Sequence, residues 1–303
     1  MHQTPDSGIG GGVGRTALLV AAARAIETHR TDCLAGDIYA EHFVRAARVS
    51  AAWPTRPAQV PDGDANPLWG RFARYFGLRT RVFDDFLMQE ASSGVRQIVL
   101  LGAGLDTRAY RLEWPAGRVV YEIDRAEVLD FKHDVLGAVA AGPGTARRPI
   151  AADLAEDWAQ PLLRAGFDPI APAAWLIEGV LFYLSAAAER HLFDTLDRLS
   201  AEGSHVAFEI KPGLEPPEVR DSAIYAETRR QLHIDLPALF DHDPRPDSAG
   251  YLAHRGWSVE THTPFDFAAR HRCRLWPEPH DALASNRWVF AARSGGDRSA
   301  RSA

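Results

Sequence analysis

The chain has 303 residues, enough to bury a large hydrophobic core within one elaborated domain. Its formal net charge of -6 argues against nucleic acid as a partner, because surfaces that bind nucleic acid usually carry an excess of lysine and arginine. The two cysteines, Cys33 and Cys273, are too few and too far apart in sequence for a disulfide framework or a zinc site.

The N-terminal residues contain no targeting signal that we can identify. They lack the basic-then-apolar pattern of a signal peptide, and no stretch of the chain approaches the roughly twenty apolar residues of a membrane helix. We therefore expect a cytoplasmic protein that does not bind membranes. Residues 1–14 include a glycine run, but no strand precedes it and no Lys-Ser or Lys-Thr pair follows, so we predict a flexible leader rather than a phosphate loop.

Residues 15–92 are predicted to form a helical cap. Thr16–Thr28 is rich in alanine and leucine, which favours a helix. Four prolines between residues 53 and 67 predict a loop, and Leu68–Ser92 predicts a second helix.

The next stretch has the pattern of a strand, a ligand-binding turn and a helix start. Ile98–Leu101 is a short apolar run, typical of a strand buried on both faces of a parallel sheet. Gly102 and Gly104 follow it, and without Cβ atoms they let the chain turn sharply and let a ligand approach the backbone. Asp106 or Thr107 can cap the following helix. Because Thr107 replaces the third glycine of the dinucleotide fingerprint, the pattern argues against a pyrophosphate.

A carboxylate follows at the end of the second predicted strand. The run Val119–Ile123 leads to Asp124, twenty residues after Gly104. A carboxylate at the carboxyl end of a strand can accept hydrogen bonds from both hydroxyls of a ribose. Glu122 is the alternative within the same strand. The two features together predict a nucleoside ligand.

From these residues the chain resembles the class I S-adenosylmethionine-dependent methyltransferases, specifically the leucine carboxyl methyltransferase-like family and its bacterial small-molecule branch. Four segments carry the resemblance in the family's order, and weaker matches extend it over most of residues 15–293. They are Leu101–Arg108, Tyr121–Asp124, Asp153-Leu154 and Trp175–Leu184.

The resemblance implies a set of residues that bind S-adenosylmethionine, in addition to Gly102 and Gly104. Asp124 would bind the ribose, and Asp153-Leu154 would lie against the adenine. A helix N-cap is the alternative for Asp153. Glu178 would orient the ammonium of the methionine moiety. The carboxylate of the methionine moiety would pair with Arg79, which aligns better than Arg81, or with Arg24. The alternative for Arg24 is a place on the helix surface.

The same resemblance implies the fold class. Seven predicted strands interleaved with helices indicate an α/β protein with a doubly wound, mostly parallel, Rossmann-like methyltransferase sheet whose last strand is antiparallel. We predict a single domain over residues 15–294, with the cap at 15–92, a cofactor-binding core at 93–211, a helical lid at 212–256 and the final strands at 257–294. Residues 295–303 are predicted to be a frayed tail.

The acceptor is harder to predict. His233, His242 and His254 lie in or beside the lid, but their spacing matches no metal motif, and no catalytic residue is assigned. The resemblance implies O-methylation of a small molecule, with a carboxylate of a small organic or polyketide-like acid as the acceptor. A phenol or alcohol, which would need a base, is the alternative. From other classes, a nicotinamide-dependent oxidoreductase and a non-catalytic nucleoside-binding protein remain open.

Overall fold

In this computed structural model residue 9, residues 11–213 and residues 215–294 are described. They form a sheet of seven strands: β1 (Gln97–Leu101), β2 (Val119–Asp124), β3 (Ala146–Ala151), β4 (Ala173–Ile177), β5 (His205–Ile210), β6 (Trp257–His262) and β7 (Arg287–Arg293). Their twelve α-helices are α1 (Gly12–Thr28), α2 (Ala40–Ala46), α3 (Trp69–Ser92), α4 (Arg108–Arg111), α5 (Ala126–Ala138), α6 (Ala159–Arg164), α7 (Ala186–Leu199), α8 (Pro217–Arg220), α9 (Ala223–Leu232), α10 (Leu236–Leu239), α11 (Ser248–His254) and α12 (Pro264–Arg270).

The strands are arranged in the order β3-β2-β1-β4-β5-β7-β6. β1 to β5 are parallel, and β7 lies antiparallel between β5 and β6. The predicted α/β class, the seven strands and the antiparallel last strand are confirmed. The order of winding reverses between the neighbouring strands β1 and β4, and ligands of such sheets bind outside the carboxyl ends of the strands at this point.

The strand register brings the polar strand ends together. Leu101 in β1 lies beside Ile123 in β2 and Ile177 in β4, and Ile177 lies beside Phe208 in β5. One edge of the sheet therefore carries the residues that follow these four, namely Gly102, Asp124, Glu178 and Glu209.

Side chains of each central strand alternate between two cores on opposite faces of the sheet. In β1, Ile98 and Leu100 join the core that contains α1 and α3, whereas Val99 and Leu101 join the core that contains α6 and α7. The strand is buried along its whole length. This accounts for the unbroken apolar run in the sequence.

The cap helices α1 and α3 pack closely against each other. At Gly77 in α3, a Cβ atom would lie 2.4 Å from Cγ of Glu27 in α1, so only glycine permits this approach. α1 begins at Gly12, earlier than the predicted Thr16, and Ile9 before it is buried in the core. Tertiary packing here outweighs the low helix propensity of glycine.

Some predictions about the chain ends and helices need adjustment. Residues 1–8 and 10 of the predicted leader and the predicted tail at 295–303 lie outside the described residues. Three short helices, α2, α6 and α12, were not predicted individually, and the region 212–256, predicted to be a helical lid, holds α8 to α11. Within the described ranges, no helix is both long enough and apolar enough to cross a membrane.

Candidate active site

A cavity of about 370 Å³ lies at the carboxyl ends of β1, β2, β4 and β5. The cap helices α1 and α3 and the lid helices α9 and α10 form its other walls. All eight residues predicted to bind a cofactor line it: Arg24, Arg79, Gly102, Gly104, Asp124, Asp153, Leu154 and Glu178.

The glycine turn after β1 forms one wall. Gly102 has φ +70° and Gly104 has φ +47°, a backbone region that strongly favours glycine. A Cβ atom on Gly102 would lie 2.8 Å from Cγ2 of Val180, whereas one on Gly104 would meet only the Gly102 carbonyl oxygen, at 3.9 Å. The turn is therefore closed on the Val180 side and open beside Gly104. Such an open position lets a ligand approach the backbone.

Asp124 is bound directly to this turn. Its Oδ2 accepts a 2.6 Å hydrogen bond from the Gly104 amide, and its Oδ1 accepts one of 2.7 Å from the Arg125 amide. Burial raises the pKa of this carboxyl, against the effect of the two amides. Each oxygen retains a further lone pair for a hydroxyl group. The alternative, Glu122, does not line the cavity, because it is fully buried and binds Nζ of Lys132 at 2.8 Å.

Asp153 and Leu154 form the wall beyond β3. Asp153 Oδ1 accepts a 2.8 Å hydrogen bond from the Ala155 amide, which stabilises a turn. No helix begins there, since α6 starts at Ala159, so the alternative of a helix N-cap is wrong. Leu154 is buried and presents an apolar surface to the same wall.

Arg79 of α3 is buried between two carboxylates. Its Nε lies 2.9 Å from Oε1 of Glu178, and its Nη1 donates a 2.6 Å hydrogen bond to Oε2 of Glu209. Gly179 leaves space for the guanidinium, since a Cβ atom there would lie 3.2 Å from Nη1. Arg79 Nη2 has no acceptor among the described protein atoms. This group is available to a carboxylate in the cavity.

The neighbouring arginines differ in their positions. Arg81 is exposed and pairs with Asp85 at 2.8 Å, so it does not line the cavity. Arg24 is buried, and its Nη2 donates a 2.8 Å hydrogen bond to the Leu105 carbonyl beside the glycine turn. Its helix-surface alternative is therefore wrong. Both Arg24 and Arg79 are close enough to the cavity to bind an anion there.

Glu178 also bonds to an arginine that the sequence analysis did not identify. Nη1 of Arg108 lies 2.8 Å from Oε2 of Glu178, and Nε of Arg108 lies 2.6 Å from Oδ1 of Asp84. Burial opposes ionisation of Glu178, but Arg108 and Arg79 outweigh it and lower the pKa of the carboxyl. Glu178 is therefore a carboxylate near neutral pH.

Glu209 was missed although it lies at the carboxyl end of β5. Besides Arg79, it accepts hydrogen bonds from the Tyr75 hydroxyl and, at 3.2 Å, from Nε1 of Trp288. It is completely buried. The sequence shows it only as an acidic residue near a strand end, and its match to Glu178 depends on the register that pairs Phe208 with Ile177.

The remaining walls are mainly apolar and come from the cap and the lid. They include Phe72, Phe76, Tyr183, Ile224 and Phe240. The Phe240 ring lies 5.9 Å from that of Tyr183. No histidine is among the described residues that line the cavity. His233, at the end of α9, is exposed.

This donor set fits an S-adenosylmethionine molecule. The open face of Gly104 and the lone pairs of Asp124 suit a ribose, while the free Arg79 Nη2 suits an amino-acid carboxylate. The ionised Glu178 suits an ammonium group. A dinucleotide would instead need phosphate contacts at the turn, where its third glycine is absent.

Comparisons with known proteins agree with this fit. The family model described as leucine carboxyl methyltransferase matches residues 17–197. A Streptomyces coelicolor protein named as a candidate S-adenosyl-L-methionine-dependent methyltransferase is 61% identical over 292 residues, 96% of each chain. A similarly named Saccharopolyspora erythraea protein is 42% identical over 286 residues, 93% of this chain and 96% of the relative.

A solved structure supports the fold alone. The crystal structure of a candidate methyltransferase from Thermobifida fusca matches with a TM-score of 0.51 at 16% identity, over 85% of this chain and 95% of that one. The family model covers most of the cap and the cofactor-binding core. The alternatives of a nicotinamide-dependent oxidoreductase and a non-catalytic nucleoside-binding protein are therefore set aside. The chain belongs to the leucine carboxyl methyltransferase family and is an S-adenosylmethionine-dependent methyltransferase.

Proposed function

We propose that this enzyme methylates a carboxylate oxygen of a small acid with an apolar body. The observation that carries the proposal is the composition of the cavity. Its described walls contain no histidine, and their four cations, Arg24, Arg79, Arg125 and Lys211, are accompanied by five carboxylates. An acceptor that is already ionised needs no base, and Lys211, which is outside the predicted cofactor residues, can pair with it.

The ionisation of the acceptor separates a carboxylate from a phenol. A carboxylic acid with a pKa near 4 is already ionised near neutral pH, whereas a phenol with a pKa near 10 must lose a proton to a base. Tyr183 and Tyr225 line the cavity, but burial raises the pKa of both hydroxyls and keeps them protonated. Burial lowers the pKa of Lys211, but its pair with Glu215 opposes that change and favours the protonated form, which is not a base.

The apolar walls favour a compact hydrophobic body on the acceptor. Phe72 and Phe76 contribute from α3, Ile224 and Leu236 from the lid, and Phe240 from the segment after α10. Aromatic and aliphatic walls with a few polar groups are typical of pockets that bind small molecules. A peptide or nucleic acid would need an extended groove, whereas this cavity has a volume of about 370 Å³ and walls from the cap and the lid.

The cofactor roles are assigned to the lining residues as follows. Asp124 binds the ribose, and Asp153 and Leu154 contact the adenine. Arg79 or Arg24 binds the amino-acid carboxylate, while Glu178 orients the ammonium. When bound, S-adenosylmethionine supplies an electrophilic methyl group on a sulfonium sulfur.

The protein contributes positioning and exclusion of water. Holding two reactants in line can supply roughly 7–11 kcal/mol of a barrier. Arg79 and Glu178 fix each other by an ion pair, so neither side chain needs to reorganise when ligands bind. Exclusion of water by the cap and the lid would favour a reaction in which opposite charges disappear.

The test is to incubate the protein with methyl-labelled S-adenosylmethionine and a panel of aryl and alkyl carboxylic acids, each beside the phenol or alcohol of the same skeleton. We expect label in a product that mild alkali releases as methanol, because methyl esters hydrolyse in alkali and ethers do not. A labelled product that survives alkali, formed only from the phenols, would contradict the proposal.

A further inference from the structure

Lys211, the first residue after β5, lies at the border of two cavities. It lines the main cavity and also a smaller one of about 50 Å³. Its side chain is nine-tenths buried. The rings of Phe240 and Tyr225 lie 5.4 and 5.5 Å from its Nζ. A buried ammonium in these surroundings attracts an anion strongly, because little water competes for it.

The lid itself supplies that anion. The Glu215 carboxylate pairs with Nζ of Lys211, and the Tyr225 hydroxyl lies 2.9 Å from Oε1 of Glu215. Ser285 Oγ donates to the same oxygen at 3.0 Å. Three donors therefore converge on one carboxylate.

Two of these donors also line the main cavity. Lys211 and Tyr225 form part of its wall, and their Nζ and hydroxyl oxygen lie 2.8 Å apart, whereas Glu215 lines only the smaller cavity. Nζ of Lys211 also donates to the Ala282 carbonyl at 3.1 Å and to Ser285 Oγ at 3.2 Å, so its donors are all in use. A carboxylate inside the main cavity would therefore have to take the place that Glu215 holds at Lys211 and Tyr225.

We propose that the Lys211–Tyr225 pair is the recognition site for a carboxylate of the acceptor, and that Glu215 is an internal anion that competes for the same ammonium. The inference rests on the proposed function in taking the ligand to be the methyl acceptor. It adds the residues that select an acid, and it assigns Glu215 an inhibitory effect on acceptor binding.

If Glu215 competes with the acceptor, then removing the Glu215 carboxylate should raise the affinity of the site for an acceptor carboxylate. If Glu215 only fastened the lid, its removal would loosen the cavity and weaken every ligand. If it competes, its removal leaves the buried Lys211 without a counter-charge, and an added carboxylate restores the pair. The two interpretations predict opposite changes in the affinity for an anion. They also differ for a neutral ligand of the same shape, whose binding only a loosened cavity would weaken.

The experiment measures binding of 2-naphthoate and its neutral amide, 2-naphthamide, at pH 7 with saturating S-adenosylhomocysteine. Calorimetry is performed on the wild type, Glu215→Ala, Lys211→Met and the double variant. We expect Glu215→Ala to bind 2-naphthoate about tenfold tighter with the amide unchanged, and the double variant to lose that gain. Glu218→Ala and Arg230→Met, at exposed lid positions, serve as matched controls and should match the wild type.

Three outcomes would overturn the inference. They are weaker or unchanged binding of 2-naphthoate by a folded Glu215→Ala, an equal gain for both probes, and no 2-naphthoate binding by any folded variant. None of them involves methyl transfer. If labelled methyl esters still form in the assay of the proposed function, only the recognition site is refuted; if ethers form instead, the proposed function fails whatever the probes show.

Discussion

Glu209 and Arg79 form a buried ion pair with a 2.6 Å bond between Oε2 and Nη1, although they are 130 residues apart in the chain. Removing one partner of a buried pair typically costs 3–5 kcal/mol, because the other charge is left uncompensated. We therefore expect Glu209→Gln to lower the free energy of unfolding by about 3 kcal/mol. Urea denaturation measures this change.

The same helix offers a control for that experiment. Arg81 and Asp85 form an exposed pair at 2.8 Å, and exposed pairs contribute about 0–1 kcal/mol. Asp85→Asn should thus have a small effect. Equal losses for Glu209→Gln and Asp85→Asn would mean that the buried pair is not important for stability.

Arg79→Ala should reduce the preference of the enzyme for S-adenosylhomocysteine over methylthioadenosine, which lacks the amino-acid group. The reason is that Arg79 lines the cavity and its Nη2 has no hydrogen-bond acceptor among the described residues. Competition calorimetry gives the ratio of the affinities for the two ligands. This ratio is insensitive to a uniform loss of folded protein. Arg81→Ala is the control and should keep the wild-type ratio, and the reverse result would refute the placement of the amino-acid group at Arg79.

Asp124→Ala should weaken binding of S-adenosylmethionine about ten- to a hundredfold, since hydrogen bonds to a charged group contribute about 1.5–3 kcal/mol. The loss should occur without unfolding, because the side chain lies at a strand end rather than in the core. Asp130→Ala, on the exposed face of α5, is the matched control. Unchanged affinity in a folded Asp124→Ala protein would remove Asp124 from the binding site.

The pH dependence of methyl transfer should distinguish the acceptors. With a carboxylate acceptor, the single-turnover rate should change little between pH 6 and 9, because the reactive anion is already fully formed. A phenol would give a rate that climbs with pH through the pKa of a base. A steep rise with a product stable to alkali would support the phenol alternative.

Glu27, buried under the contact of α1 with α3, should make stability depend on pH. Burial is the main cause that raises the pKa of its carboxyl from 4.5 to about 7, while the Leu34 amide and Arg74 oppose it. The folded state therefore holds a proton that the unfolded state has released between these values. This contribution to stability is complete below pH 4.5 and is lost as the pH rises to about 7, a total of about 3 kcal/mol.

The variant Glu27→Gln tests this dependence because glutamine resembles the protonated acid. It should match the wild type in urea near pH 4.5 and become progressively more stable than the wild type up to pH 7. Glu218→Gln, at an exposed position, should follow the wild type throughout. A constant difference between Glu27→Gln and the wild type over this range would show that Glu27 does not titrate there.

The fold and the cofactor wall could be predicted from the sequence because their signals are local. The apolar run of β1, the glycines after it and Asp124 at the end of β2 are each visible within a few residues. Arg108 and Glu209 could not be recognised in this way, since their importance depends on partners brought close only by the register of the sheet. Lys211 is a similar case, because the residues that surround it come from the lid and from the loop before β7.

The long separation between Arg79 and its partner Glu209, 130 residues, also affects how the chain is made. During synthesis the N-terminal helices emerge first, while the carboxylates that neutralise Arg79 are still to be translated. Burying that arginine beforehand would leave a charge without a counter-ion in an apolar surrounding. The N-terminal third of the chain therefore depends on the strands that follow it, and the ribosome must release most of the sheet before this third can reach its final packing.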